Sequence, residues 1–287
     1  MKVHFEDNQS IVGNLDQTVL EMATEQGVDI THACKGNARC STCRVLVLRG
    51  TANERTEKER ILAERLGLPD NVRLSCQMKM TEDLEVRRIV RDDLDRQLLN
   101  RANSAVEKPV AILFSDIRSF TTFSERHLPY DIVHILNRYF WEMGEAIQAY
   151  HGRIDKYMGD GIMAIFGLSE EGNPAVNAYR AAEEMLTRLA SFNQWLSRSY
   201  GENFEIGVGV HYGTVVVGNL GHPDSISFTA IGDTVNVAAR IESATKGLCN
   251  ILVSEPVYQA LGESDWDSTE LLLKGKTAPL RLFLSPA

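Results

Sequence analysis

Three cysteines fall within ten residues, in Ala33-Cys34-Lys-Gly-Asn-Ala-Arg-Cys40-Ser-Thr-Cys43, and a fourth, Cys76, follows in Val72-Arg-Leu-Ser-Cys-Gln. A chain that crowds thiols this way must wrap the intervening loop around something compact. The loop is small and polar (Gly36, Asn37, Ala38, Ser41, Thr42), so its backbone N–H groups can turn inward. Four thiolates suit a [2Fe–2S] cluster or a zinc ion. Structural zinc favours two separated Cys-x2-Cys knuckles. Here there is one such pair, with Cys34 before it and Cys76 far beyond, and that asymmetry favours iron–sulfur. Four unrelated buried cysteines is the weaker alternative. Cys249, which follows a helix end and a glycine, reads as a small buried hydrophobe.

Around this loop, Lys2–Glu6 and Gln9–Gly13 read as a hairpin, and Thr18 caps an amphipathic helix that ends near Gly27. The stretch 1–90 resembles the [2Fe–2S] ferredoxins of β-grasp fold. Five residues separate the first two cysteines, as in the adrenodoxin-like branch, and the resemblance implies Cys34, Cys40, Cys43 and Cys76 as the cluster ligands. Such a cluster can carry electrons, sense redox state or hold a fold. Acids and bases nearly balance over residues 1–90, 14 against 13, which favours a role inside the molecule over docking on a basic reductase.

At 287 residues the chain has room for two ordinary domains, and its net charge of −9 argues against a general nucleic-acid binder. Apolar runs such as Ile162–Leu168 are too short to span a bilayer. The polar N-terminal strand carries no signal-peptide pattern, so a cytoplasmic location is expected. Residues 91–107 read as a charged helical linker, with Leu94, Leu98, Ala102 and Ala105 at helical spacing and Pro109 beyond its end. It either pairs with its copy in a dimer or lies solvated on its own domain. The expected layout is a first domain at 1–90, the linker at 91–107 and a second domain at 108–287.

The second domain opens on Val110–Phe114, an unbroken apolar run read as a buried strand, and Asp116 stands where the run stops. Alone, such an aspartate is as readily a helix cap as a ligand. Tyr130–Tyr150 is amphipathic at helical period, and Arg153–Met158 and Ile162–Phe166 are strands joined by Gly159-Asp160-Gly161. Asp160 is therefore either a turn residue or a second carboxylate beside the first strand's end. Pro174–Tyr200 is a second long helix. Phe204–His211 and Thr214–Gly218 read as a Gly-rich hairpin, and Ser227–Ile231 as a strand. Asp233-Thr234 opens a helix, Val235–Thr245, that carries Asn236 and Arg240 on one face. Ile251–Val253, Leu271–Leu273 and Leu280–Leu284 complete the sheet. The order βαββαβ with trailing strands predicts an α+β domain with helices covering one sheet face.

Two acids at strand ends, a lysine at 156 and an Asn/Arg pair on a helix suit phosphoryl transfer. The acids can hold two Mg²⁺ ions and the arginine can neutralise developing charge. Neither a Walker loop nor a kinase Gly-rich loop competes with that reading. Phe114-Ser-Asp-Ile-Arg-Ser-Phe-Thr121, Lys156-Tyr-Met-Gly-Asp-Gly161 and Ile231-Gly-Asp-Thr-Val-Asn-Val-Ala-Ala-Arg240 together resemble the three signature stretches of the class III nucleotidyl cyclases.

The resemblance spans about 108–287. It implies that Asp116, Asp160 and the Ile117 carbonyl bind two Mg²⁺ or Mn²⁺ ions. Asn236 then positions the ribose and Arg240 stabilises the transition state. Lys156 falls at the base-selecting position, Lys274 at a contact to the terminal phosphates, and Phe120 and Thr121 beside the triphosphate. The partner of the base-selecting lysine is Thr229, seven residues before Asn236. Lys with Thr resembles the bicarbonate-responsive adenylyl branch and favours ATP over GTP, since a hydroxyl can accept from adenine's amine while Lys donates to N1.

The resemblance further implies a head-to-tail homodimer with two shared active sites. The expected function is an adenylyl cyclase that forms 3′,5′-cyclic AMP and is regulated by the redox state of its ferredoxin domain, with a redox partner for the cluster. The alternative is an electron-transfer or redox-sensing protein whose cyclase-like half only dimerises.

Overall fold

The computed structural model describes residues 1–90, 105–222, 224–262, 265–272 and 278–286. Contacts divide the chain into two units, 1–104 and 105–287. Residues 91–104 of the expected linker helix, and Lys274, lie outside the described residues; Val106, at the linker's end, is already strand.

The first unit runs β1 (Lys2–Phe5), β2 (Ser10–Val12), α1 (Val19–Glu25), β3 (Arg44–Arg49), α2 (Glu57–Leu66), β4 (Val72–Leu74) and β5 (Leu84–Arg88). Its sheet has the order β2-β1-β5-β3-β4, with β1 and β5 parallel, the β-grasp arrangement. Thr18 caps α1 in a full capping box with Glu21, and Val19, Leu20, Met22 and Ala23 face the core. Cys43 and Cys76 belong to that same core.

The second unit begins with β6 (Val106–Ile117), α3 (Phe120–Arg126), α4 (Pro129–Ala149), β7 (Gly152–Met158), β8 (Gly161–Phe166) and α5 (Pro174–Tyr200). It continues with β9 (Ile206–His222), β10 (Ser225–Ile231), α6 (Asp233–Ala244), β11 (Ile251–Ser254), α7 (Glu255–Leu261), β12 (Ser268–Leu271) and β13 (Leu280–Leu284). The sheet order is β12-β13-β11-β9-β6-β8-β7, with β10 paired to β9.

Four sequence expectations are corrected here. Helices cover both sheet faces. Ala111, Leu113 and Ile117 of β6 pack into the α4/α5 core, while the alternate residues Val110, Ile112 and Phe114 pack with Ala238 of α6. Pro109 lies inside β6, along the stretch that pairs with β9 but not yet with β8, where one open edge tolerates a missing N–H. The Gly-rich hairpin near Tyr212-Gly213 does not exist: β9 is one 17-residue strand, held extended by β6 along twelve consecutive pairs. Last, β12 lies ahead of the expected Leu271–Leu273, ending at Leu271.

The β9 glycines serve packing instead of turning. A Cβ on Gly209 would strike the backbone of Glu242, and one on Gly213 would sit 2.7 Å from the Thr234 hydroxyl. The glycines therefore leave a bare lane on which α6 lies directly against the strand.

Candidate active site

The hairpin between β7 and β8 closes on Gly159 and Asp160, with Met158 paired to Gly161. Gly159 has a φ of 66°, as a II′ turn takes at its first central position. This tight closure sets Asp160 beside the end of β6, where Asp116 stands. The Ile117 N–H ties the two together: it donates to Asp160 Oδ2 at 3.2 Å and to Asp116 Oδ1 at 3.1 Å. Burial first, and then the facing Asp116 carboxylate, push the Asp160 carboxyl up to about 7. Two carboxylates that oppose one another this way are a concentration of negative charge awaiting a cation. The donor set fits hard divalent ions.

Lys156 and Thr229, expected as a base-selecting pair, also meet. Lys156 Nζ donates to Thr229 Oγ1 at 3.1 Å, joining β7 to β10. The ammonium is partly exposed, at 43%, and Thr229 is buried. Asn236 and Arg240 stand on α6 one turn apart. Asn236 is exposed, Arg240 half-buried, and neither has a hydrogen-bond or ionic partner among the described residues. An uncommitted guanidinium of this kind is available to a ligand or to a second chain. Thr121 is exposed at the start of α3. Phe120 is half-buried instead, its ring 5.7 Å from Phe123 and 6.5 Å from Phe204. An aromatic cluster therefore anchors the Phe120 side chain.

Two neighbours were not singled out from the sequence. Arg118 Nη2 donates to the Cys249 carbonyl at 2.7 Å and to the Thr245 carbonyl at 3.3 Å, tying the strand of Asp116 to the C-terminal end of α6. Glu242, on α6, is pushed up to about 7 by burial and then by the Asp116 charge. Arg118 lies inside a recognised motif, which was the available signal. Nothing in the sequence marks Glu242.

In the first unit the thiols form two pairs. Cys43 Sγ donates to Cys76 Sγ at 3.5 Å, and Cys34 and Cys40 hydrogen-bond one another. The Cys43 hydrogen bond draws the Cys76 thiol down to about 6, while Cys43 is pushed up. The loop curls through left-handed residues at Lys35, Gly36 and Ala38, with φ of 55°, 82° and 53°. That conformation costs a non-glycine residue on the order of 1 kcal/mol and persists only where its surroundings impose it. It turns backbone donors toward sulfur, and the Arg39 N–H reaches Cys34 Sγ at 3.4 Å. Two thiol pairs ringed by N–H groups fit two irons, each taking two thiolates, better than one tetrahedral zinc.

The second unit, with its paired strand-end acids and its Asn/Arg helix, is a nucleotidyl cyclase catalytic fold; the first is a β-grasp thiol cradle. The chain belongs to the adenylate and guanylate cyclase catalytic domain family, whose model matches residues 103–285. Residues 3–81 match the 2Fe-2S iron-sulfur cluster binding domain. An adenylate cyclase of Anabaena cylindrica is 40% identical over 190 residues, 63% of this chain and 37% of that one. Adenylate cyclase 1 of Rhizobium meliloti (strain 1021) is 36% identical over 144 residues, 50% of this chain and 22% of that one. The chain thus spans little more than a third of these relatives' length at most. Among solved structures, the guanylyl cyclase Cya2 is similar at 33% identity and a TM-score of 0.60, covering 63% of this chain and 92% of that one. The adenylyl cyclase CyaB from P. aeruginosa is similar at 31% and 0.57, covering 62% and 94%. Cyclases of either base specificity share this fold, so the choice of purine must be argued from side chains. Among the described residues no helix is long and apolar enough to cross a membrane.

Proposed function

We propose that this protein is an adenylyl cyclase, converting ATP to 3′,5′-cyclic AMP and pyrophosphate in a homodimer. The observation that carries the reading is the Lys156–Thr229 hydrogen bond, in the same unit as the converging Asp116 and Asp160 carboxylates. In the reaction the ribose 3′-oxygen forms a bond to the α-phosphorus, the bond from that phosphorus to the β-phosphate breaks, and the hydroxyl proton is released.

Asp116 and Asp160, with the Ile117 carbonyl, would hold Mg²⁺ or Mn²⁺, two ions per site. Bound there, the ions would lower the pKa of the attacking hydroxyl and shield the phosphates. Lys156 and Thr229 orient the base. Asn236 of the second subunit positions the ribose, and that subunit's Arg240 neutralises charge on the reacting phosphoryl group. Phe120 and Thr121 border the triphosphate, and Lys274, outside the described residues, is assigned to the terminal phosphates by its motif alone. The exposed stripe of Tyr130, Val133 and Trp141 on α4, opposite that helix's core face, supports burial against a second copy.

Cys34, Cys40, Cys43 and Cys76 would hold the [2Fe–2S] cluster, which gives the cyclase a redox input through residues 91–107. Rates of cyclic AMP formation by protein with the cluster oxidised, dithionite-reduced and absent should differ. Equal rates in all three would leave the ferredoxin unit a passive module. The activity itself is tested by initial rates with ATP and with GTP in Mn²⁺. We expect ATP to be preferred at least about tenfold in kcat/KM, the discrimination one well-made polar contact supplies. Preference for GTP would overturn the adenylyl assignment, and no product from either would leave the redox protein as the reading.

A further inference from the structure

Three polar groups meet where the purine would sit, and only two of them have been given a role. Thr229 Oγ1 accepts from Lys156 Nζ at 3.1 Å and donates its own proton to Asp155 Oδ2 at 2.8 Å. Lys156 Nζ also lies 3.1 Å from that same Asp155 oxygen, whose side chain is 1% exposed. Strand alternation alone would place Asp155 and Lys156 on opposite faces, so nothing in the sequence joins Asp155 to this pair.

The backbone explains how neighbouring side chains reach one hydroxyl. The β7/β8 register pairs Ile154 with Ala164 and Lys156 with Met163, so Asp155 is the unpaired extra residue of a β-bulge. Bulges re-aim side chains beside functional sites. A structural group would normally be satisfied on both oxygens. Asp155 Oδ1 is instead buried without a hydrogen-bond partner among the described residues, a cost that packing alone does not account for.

We propose that Asp155 is a positioning residue for purine choice: a buried carboxylate that locks the Thr229 hydroxyl as an acceptor beside the Lys156 donor. The inference rests on reading Lys156 and Thr229 as the base contacts. A threonine hydroxyl has one proton and two lone pairs. With the proton held by Asp155 and one lone pair by Lys156, only an acceptor site remains for the base. Lys156 has three protons; with one on Thr229 and one on Asp155, a single donor remains. Acceptor beside donor matches the N6 amine and N1 of adenine. Guanine in the same pose presents the reverse at both atoms, O6 against the hydroxyl lone pair and N1–H against the ammonium. A hydroxyl free to rotate could swing its proton to O6 and relieve half of that conflict. Asp155 removes that freedom.

The test is a set of initial-rate measurements with ATP, GTP and inosine triphosphate on the full chain carrying its cluster. Inosine triphosphate has guanine's O6 and N1–H without the 2-amino group, so it isolates hydrogen-bond polarity. The unaltered protein should reject it nearly as strongly as GTP. Asp155→Asn offers Thr229 either a donor or an acceptor and so unlocks the hydroxyl. Its kcat/KM preference for ATP over GTP should fall about tenfold, the scale of a hydrogen bond to a charged group, with the larger share in KM. Thr229→Val should lose the same preference, and the double variant should be no worse than Thr229→Val alone, since Asp155 acts through the hydroxyl.

The inference is overturned by an unchanged ATP/GTP ratio in active Asp155→Asn, or by losses that add in the double variant. Turnover of inosine triphosphate as fast as ATP by the unaltered protein also overturns it, and that result needs no variant to fold. A chain that cyclises none of the three nucleotides takes down the adenylyl cyclase reading itself. Unchanged ratios on an active enzyme sink only the role of Asp155.

Discussion

Asp160, proposed above as a metal ligand, has a carboxyl whose titration can be followed. Its carboxyl keeps a proton up to about 7 in the folded chain, against 3.8 for an ordinary aspartate, because burial and Asp116 oppose its charge. Binding a divalent ion expels that proton. Mn²⁺ affinity measured by calorimetry should therefore weaken about tenfold per pH unit below 7, flatten above it, and release close to one proton per Asp160 at acidic pH. Affinity independent of pH between 5 and 8 would remove Asp160 from the site. The sign for stability runs the other way. Between pH 4 and 7 the folded carboxyl is protonated while the unfolded one is not, so metal-free protein should lose stability as pH rises through that window.

The polar residues of the three motifs were legible at this scale: Asp116, Asp160, Lys156, Asn236 and Arg240 were all singled out, and the structure brings Asp116 to Asp160 and Lys156 to Thr229. What the sequence hid were residues whose role is set by geometry alone. Asp155 depends on a bulge, and Arg118 on a carbonyl 131 positions away.

Among the elements, α6 and β9 decide whether Asn236 and Arg240 are held correctly. Gly213 reads from the sequence as the turn of a Gly-rich hairpin, with Gly207 and Gly209 in its first strand, because composition does not tell a turn from a bed for a helix. Only the long pairing of β9 with β6 separates the two. A methyl at 209 would collide with the Glu242 backbone, which cannot swing aside. Gly209→Ala should cost about 2 kcal/mol or more in unfolding free energy and displace α6. Gly247→Ala, where a Cβ would meet nothing within 4 Å but φ is 77°, reads the cost of backbone strain without a clash, about 1 kcal/mol, and Gly209→Ala should exceed it. Equal stability of Gly209→Ala and the unaltered protein, by denaturant titration, would refute the bed.

The charged α2 was missed outright, since no apolar stripe announces it. Its anchor is a buried two-point pair: Arg73 Nε and Nη2 each lie 2.9 Å from a Glu59 oxygen, and the Leu74 N–H donates to Glu59 at 2.8 Å. Breaking such a pair from one side costs about 3–5 kcal/mol. Because β4 leads directly into Cys76, Glu59→Ala should also lower the iron retained per chain. Normal visible absorbance and iron content would show that α2 is dispensable to the cluster.

At the scale of the whole molecule, the fold class and both families were legible because each rests on short, local spacings: four cysteines, and three signature stretches. The two-sided helical cover was not, since it follows from strand alternation across pairings that no local window contains. The central claim is that the Asp pair of one subunit works with the Asn/Arg pair of the other. The direct measurement is cyclic AMP formation after mixing Asp116→Ala protein with Arg240→Ala protein, each inactive alone, under conditions that let subunits exchange. Half of the dimers would then be mixed, and each mixed dimer would carry one intact site of two. The account predicts recovery to about a quarter of the unaltered protein's activity per chain. A mixture no more active than the two variants apart would contradict it.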